Sequence, residues 1–159
     1  MNDPNELIVP PDLVYVTFIR STPQKVWDAL TQSEFTKQFF FGRTVESDWR
    51  KGSSWRLVMP NGATDVEGEV LESDPPRRLK LSWKVEWLAE ARALEPAIIT
   101  YDIEPAGDVV KLTLTQHNTG LVPRKFVDAG KQGWAAIMSS LKSLLETDQP
   151  LVIKMNPPE

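Results

Sequence analysis

The sequence predicts an α+β domain, in which antiparallel strands carry helices on one side. Two patterns lead to this fold class. Apolar and polar residues mostly alternate from Val45 to Gln116, as they do in half-buried strands. Helical spacing of apolar residues precedes this region at residues 23–39 and follows it at residues 131–145. The order of these segments indicates an antiparallel meander between helices.

The length of the chain, 159 residues and 18.0 kDa, is typical of one compact domain with its own core. We expect this domain at residues 13–147, because no linker, repeat or low-complexity segment interrupts it. The proline-containing ends, residues 1–12 and 148–159, are expected to be an amino-terminal and a carboxy-terminal tail.

The front of the domain predicts a strand and two short helices. "LVYVTFIR" at residues 13–20 is rich in β-branched and aromatic residues, which favours a strand. Thr22 is a suitable helix cap and Pro23 suits the first helical position. A second short helix is expected next, because Thr31 and Glu34 have the spacing of a capping box.

The middle of the sequence predicts about six strands. The hairpin breaks "SDPPR" and "AGD" at residues 73–77 and 106–108 each separate two alternating segments. In the first of these segments Asp65, Glu67 and Glu69 recur at every second position, and we interpret them as a solvated strand face, not as a metal or acid–base cluster.

Two segments depart from strand periodicity. "EWLAEARALEP", residues 86–96, has the composition of a helical turn between two strands. The last helix is predicted from about Lys131 and can extend back to Pro123. We therefore expect a long helix to close the domain.

Charge and composition exclude several classes of function. A net charge of -4 and a pI of about 5.1 argue against binding nucleic acid or an anionic membrane, and no apolar segment is long enough for membrane insertion. The chain contains no cysteine, which agrees with a reducing compartment, and we expect a cytoplasmic protein. We expect no metal and no cofactor, because histidine occurs only once and no glycine-rich phosphate loop is found.

The order and spacing of several segments resemble a known family. "FIRSTPQKVWDALTQSEFTKQFF", "GEVLESDPPRRLKLSW", "YDIEPAGDVVKLTLTQHNTG" and "GW" followed by "AAIMSSLKSLLE" together resemble the START-like (SRPBCC) superfamily, and within it homologues of the activator of the heat-shock-protein ATPase. The resemblance implies a helix-grip fold, a curved antiparallel sheet of six or seven strands wrapped around the long carboxy-terminal helix. It also implies a cavity between the two that often takes an apolar small molecule.

The candidate ligand-binding residues are the aromatic and apolar side chains that the resemblance directs toward this cavity. Trp134, Met138 and Leu141 are candidates for the wall formed by the last helix, whereas Leu144 and Leu145 are expected to be core. From the remaining segments we select Phe39, Phe40, Trp55, Leu57, Trp83 and Tyr101.

We therefore expect a protein that binds an apolar or aromatic small molecule, with no residue assigned to catalysis. A cavity-based cyclase or hydrolase would use polar groups such as Tyr101 or His117, but no convergent acid–base pair is visible. A co-chaperone-like interaction with a heat-shock ATPase is the third alternative. Eukaryotic activators carry an additional amino-terminal domain, for which we expect no room in a chain of this length. Relatives usually have a shorter loop at residues 86–96, so we expect this segment to be a lid or an insertion. The sequence also allows a homodimer.

Overall fold

A seven-stranded antiparallel sheet curves around one long helix, which confirms the predicted α+β helix-grip fold. The structure is a computed structural model and describes residues 3–154. In chain order the elements are β1 (Leu7–Ile8), β2 (Leu13–Ile19), α1 (Pro23–Thr31), α2 (Ser33–Phe39), β3 (Thr44–Ser47), β4 (Ser54–Val58), β5 (Thr64–Asp74), β6 (Arg78–Val85), α3 (Ala89–Arg92), β7 (Ala97–Ala106), β8 (Val109–Asn118), β9 (Val122–Pro123) and α4 (Arg124–Thr147).

The sheet has the strand order β2-β8-β7-β6-β5-β4-β3, so that β2 and β3 are its edges. From β3 to β8 each strand pairs with the next one along the chain, as the predicted meander requires, and the breaks "SDPPR" and "AGD" form the β5–β6 and β7–β8 turns. The concave face of the sheet carries the buried apolar side chains and receives α4. None of the helices within residues 3–154 is both long and apolar enough to cross a bilayer.

The start of α1 follows the prediction, and the start of α2 does not. The Thr22 hydroxyl accepts a hydrogen bond from the backbone N–H of Lys25 at 3.3 Å, and Pro23 is the first helical residue. The capping box predicted for Thr31 and Glu34 does not form. α1 continues through Thr31, whose hydroxyl donates to the carbonyl of Trp27 at 2.8 Å inside the helix.

The parts of the predicted tails that the structure describes pack against α4. Backbone N–H groups at the start of α4 donate to the carbonyls of Pro4 and Glu6, both at 2.9 Å, and β1 pairs with β9. These bonds satisfy donors that a helix start otherwise leaves unpaired. At the other end, the N–H of Leu151 donates to the Ser140 hydroxyl at 3.1 Å.

Asp65 differs from the solvated strand face that the alternation predicted. Asp65 is only 5% exposed, whereas Glu67 and Glu69 face solvent as expected. The register of β4 and β5 shifts between Leu57 and Val58, which breaks the two-residue alternation near Asp65. The buried carboxylate is paired with the guanidinium of Arg43, with Nε and Oδ2 2.7 Å apart.

Candidate ligand-binding site

A cavity of about 570 Å³, partly open to solvent, lies between the first half of α4 and the end of the sheet where β6 and β8 finish and β7 begins. This volume falls in the range of about 300–1,000 Å³ found for small-molecule sites. Most lining residues are apolar. The aromatic ones are Phe40, Phe41, Trp83, Trp87, Phe126 and Trp134.

Trp83 is the centre of an aromatic cluster on the sheet side of the cavity. Its ring centroid lies 5.0 Å from that of Trp55 and 5.1 Å from that of Trp134. Gly68 lies between Trp55 and Trp83 in the strand register, and a Cβ at this position would lie 2.0 Å from the Ser82 carbonyl oxygen. Only glycine therefore fits between the two strands where the indoles meet.

The turn after α2 brings two phenylalanines to the cavity. Phe41 and Gly42 both have left-handed backbone conformations, with φ of 53° and 80°. Two successive left-handed residues reverse the direction of the chain sharply. At the position of Gly42 this conformation favours glycine, because glycine has no Cβ to clash with the backbone. Phe40 and Phe41 consequently line the same cavity, although they are adjacent in sequence.

Three of the seven residues that α4 contributes to the cavity wall are small, and the other four are Phe126, Val127, Trp134 and Ile137. Ala129, Gly130 and Gly133 line the cavity, and a Cβ built at Gly133 would meet no atom within 4 Å. At Gly130 it would meet only the Gln116 side-chain oxygen, at 4.0 Å. Glycine inside a helix costs roughly 0.5–1 kcal/mol relative to alanine. The open space is therefore created by residues that reduce the stability of the helix.

The segment between β6 and β7 covers the cavity. Trp87, Leu88, Ala91 and Leu94 of this segment are all lining residues. The Lys125 ammonium of α4 lies 3.0 Å from the Glu90 carboxylate of α3 and ties the cover to the helix. Residues 86–96, which the sequence left open as a lid or an insertion, therefore form one wall of the cavity.

Two polar pairs interrupt the apolar wall. At the β5 side, Arg43 and Asp65 form the buried ion pair described above. At the β8 side, the Trp134 indole N–H donates to the Gln116 side-chain oxygen at 2.8 Å. The amide nitrogen of Gln116 donates in turn to the Asn118 oxygen at 3.4 Å.

The predicted site residues fall into two groups. Phe40, Trp83 and Trp134 line the cavity. The structure instead places the others in the packed core, because they lie deeper under the sheet: Phe39, Trp55, Leu57 and Tyr101 surround a void of about 20 Å³, and Met138 and Leu141 are 1% and 0% exposed. A void of that size holds a water molecule at most.

Sequence reasoning missed the parts of the wall that lack an aromatic or aliphatic side chain. Gly130 and Gly133 are three residues apart in the last helix, and this spacing was a signal for a gap on one helical face. The pairing of Arg43 with Asp65 had no local signal, since the two residues are separated by 22 positions.

The two residues considered for catalysis lie apart. Tyr101 is buried against Trp134, with ring centroids 6.4 Å apart, and its burial raises the pKa of the phenol above its ordinary value. His117 is on the surface, where its Nδ1 lies 2.7 Å from an Asp12 carboxylate oxygen, and it is not a cavity residue. Among residues 3–154, no three carboxylate or imidazole groups converge as a metal site requires.

A second depression on the convex face of the sheet has a different character. Its wall includes Glu46, Arg56, Glu67 and Lys84 together with several serines. Arg56 is paired with Glu46, and a hydrogen bond with Glu86 raises the pKa of Glu67 above its usual value. These charged groups are in contact with solvent, so that the mostly apolar cavity beside α4 is the better candidate for a small molecule.

The fold and the cavity beside α4 define the class of this protein as a helix-grip domain with a mostly apolar pocket between sheet and helix. The chain belongs to the family described as "Activator of Hsp90 ATPase homolog 1-like protein", whose model matches residues 20–146. Among the curated proteins, none matches the chain.

Solved structures of similar proteins have the same fold. The Aha1 dimer from Colwellia psychrerythraea has a TM-score of 0.70 at 19% identity, over 87% of this chain and 98% of that one. Protein MLL2253 from Mesorhizobium loti has a TM-score of 0.71 at 23% identity, over 85% and 96%. PFC0360w, an HSP90 activator from Plasmodium falciparum, has a TM-score of 0.63 at 20% identity, over 77% and 86%. At these identities the likeness concerns the fold alone.

Proposed function

We propose that this protein binds an apolar, aromatic small molecule in the cavity between α4 and the sheet. The observation that carries the proposal is the glycine face of α4. Gly130 and Gly133 leave space where a Cβ would fit without a clash, although alanine would strengthen the helix. A chain that only needed a core would gain stability by filling this space.

The chemistry of the wall supports an aromatic ligand. Trp83, Trp134 and Phe40 line the cavity, and the Phe40 ring packs against both indoles in tilted or edge-to-face geometry. Aromatic pairs in offset or edge-to-face geometry contribute about 0.5–1.5 kcal/mol beyond the burial of area. A planar apolar molecule would add such pairs without the wall having to move.

A filled-cavity variant tests the proposal. A naphthalene dye is titrated into wild type, Gly133→Phe and Gln132→Phe, with dye emission and the quenching of tryptophan fluorescence as readouts. The new ring at position 133 enters the cavity, whereas Gln132 is exposed and lies outside the lining. We expect wild type and Gln132→Phe to bind the dye, and Gly133→Phe to have lost binding. Absence of binding to wild type, or equal binding to all three, would contradict the proposal.

A co-purified molecule is the complementary test. Native mass spectrometry of freshly purified wild type should show an additional mass that is absent from Gly133→Phe. The second variant makes the result specific, because a molecule that adheres to the outer surface would remain on both proteins.

A protein-interaction role, as in a co-chaperone, is the second candidate. Val14, Val16 and Phe18 of the edge strand β2 are 56%, 46% and 51% exposed and form an apolar stripe on the convex face. One similar protein is an HSP90 activator and another is a dimer. Capture of a heat-shock ATPase by wild type but not by Val16→Lys, with stimulation of its turnover, would support this role. Size-exclusion chromatography with light scattering, applied to wild type and Val16→Lys, would show whether the protein forms a homodimer through β2.

A further inference from the structure

The two polar pairs of the cavity lie at opposite ends of its sheet wall. Asp65 belongs to β5 and Asn118 to β8, and β6 and β7 lie between these strands. Three inter-strand spacings of about 4.8 Å separate the backbones by about 14 Å. Between the two ends the sheet contributes Trp83, Val85 and Ala97, which are apolar, and Lys84.

The Arg43 end of the cavity retains hydrogen-bond donors. The guanidinium uses its Nε–H on Asp65 and one Nη1–H on the Phe41 carbonyl, at 2.7 and 3.1 Å. A guanidinium has five N–H groups, and the others have no acceptor within residues 3–154. The Arg43 side chain is 23% exposed, which leaves it accessible from the cavity it lines.

The Asn118 end also retains donors. The hydrogen bond from Trp134 fixes which atom of the Gln116 amide is the oxygen, and Gln116 then donates to the Asn118 oxygen. The Asn118 amide nitrogen consequently has no acceptor in the described part of the chain, although it borders the cavity. Both ends therefore offer N–H groups to an oxygen atom of a ligand.

The charged residues of the wall select against a strongly charged ligand. Arg43 and Lys84 are positive, whereas Asp65 and Glu95 are negative. Because the two signs balance, the cavity has no net charge with which to offset the desolvation of an ion. A neutral oxygen that accepts from a charged or amide donor has no such cost, and bonds to charged donors are among the stronger ones in proteins.

We propose that the ligand is an elongated, planar and neutral aromatic molecule with an oxygen acceptor, a hydroxyl or carbonyl group, at each end. One oxygen accepts from Arg43 and the other from Asn118, while the apolar middle lies on Trp83 and Trp134. The proposal rests on the proposed function, since it specifies the molecule that occupies the same cavity.

Two probes of equal shape test this assignment. One is naphthalene with a hydroxyl group at each end and the other is naphthalene with a methyl group at each end. Their affinities are measured for wild type, for Asn118→Leu, and for the double variant Arg43→Met with Asp65→Leu. Removal of both ion-pair partners avoids a buried unpaired charge. Circular dichroism verifies that each variant folds, and Asn118→Leu tests one end alone if the double variant does not.

We expect each variant to lower the affinity for the dihydroxy probe about tenfold, because one hydrogen bond to the probe is lost. The affinity for the dimethyl probe should not change. If the variants lost affinity equally for both probes, or for neither, the two-ended assignment would be overturned. Binding of the dimethyl probe to wild type would still uphold the proposed function. If neither probe binds to wild type, the proposed function itself is wrong.

Discussion

The two halves of α4 face the same sheet, but one lines the cavity and the other packs in the hydrophobic core. The first half lines the cavity with Ala129, Gly130 and Gly133, whereas the second half buries Met138, Leu141 and Leu144 in the core. One helix of 24 residues thus combines a loosely filled and a tightly filled segment. The packed half holds the helix in the sheet, so that the other half can leave space for a ligand. The following variants test this division of the helix.

The largest effect is expected in the packed half. Leu141→Ala should lower the free energy of unfolding by about 2–5 kcal/mol, because Leu141 is fully buried and its removal leaves a new void. Met138→Ala should cost a similar amount. Denaturant melts measure both, and dye titration of the folded variants should give nearly wild-type affinity. If Met138→Ala proved much milder and weakened dye binding, the cavity would extend further along α4 than the structure places it.

The fold was predictable because periodicity is a local signal, and the cavity was only partly so. Alternation and helical spacing correctly indicated the meander and the last helix. Large side chains such as Phe40 and Trp134 were recognised as candidates by residue type, yet residue type does not distinguish a wall from a core. Met138 and Trp134 are four positions apart on one helical face, and only their depth under the curved sheet separates them.

The buried ion pair illustrates a second limit of the sequence. Asp65 continues an alternating acidic pattern and was predicted to be solvated, but the shifted strand register and Arg43 bring it inside. A register shift depends on how two strands pair, which the sequence of one strand does not determine. The Arg43 end of the cavity was therefore not predicted from the sequence, because nothing in the sequence indicates that Arg43 and Asp65 pair.

The next effect has the opposite sign and concerns the cavity half. Gly133→Ala should raise the free energy of unfolding by up to about 1 kcal/mol, because alanine is the better helix former and its Cβ has space. Ala135→Gly, two residues along the same helix, is the control and should destabilise by a similar amount. Paired denaturant melts check both signs. A destabilising Gly133→Ala would mean that the wall is already filled at this position.

A smaller, pH-dependent effect is expected where the packed half of α4 meets the edge strand β2. The Glu146 carboxylate accepts from the backbone N–H of Arg20 at 2.8 Å and from the Lys142 ammonium at 2.8 Å. These bonds, the backbone one first, lower the pKa of Glu146 in the folded protein. Their stabilisation is present above the ordinary pKa of glutamate and is lost as the pH falls through the lowered value.

Glu146→Gln should therefore cost at most about 1 kcal/mol near neutral pH, and the difference from wild type should shrink in acid. Thermal melts of both proteins at pH values above and below the ordinary glutamate pKa measure this change. Glu104→Gln removes an exposed carboxylate from β7 and is the control, so that only the excess of Glu146→Gln over it is assigned to the contact with Arg20 and Lys142. A difference that stays constant with pH would show that the carboxylate charge does not hold β2 to α4.

The smallest effect on stability is expected at the cover of the cavity, where a substitution should change the dissociation rate of a ligand more than the stability of the core. Glu90 is 54% exposed and its ion pair with Lys125 joins α3 to the cavity half of α4. Because exposed pairs contribute about 0–1 kcal/mol, Glu90→Gln should hardly change the melting temperature. The cover should nevertheless open more often, so that stopped-flow measurements show a bound naphthalene dye dissociating several-fold faster. High salt should produce the same acceleration in wild type and little further change in Glu90→Gln, because screening acts on the pair that the substitution has already removed. Identical dissociation rates for the two proteins at low salt would mean that apolar contacts of Trp87 and Leu88 alone keep the cover closed.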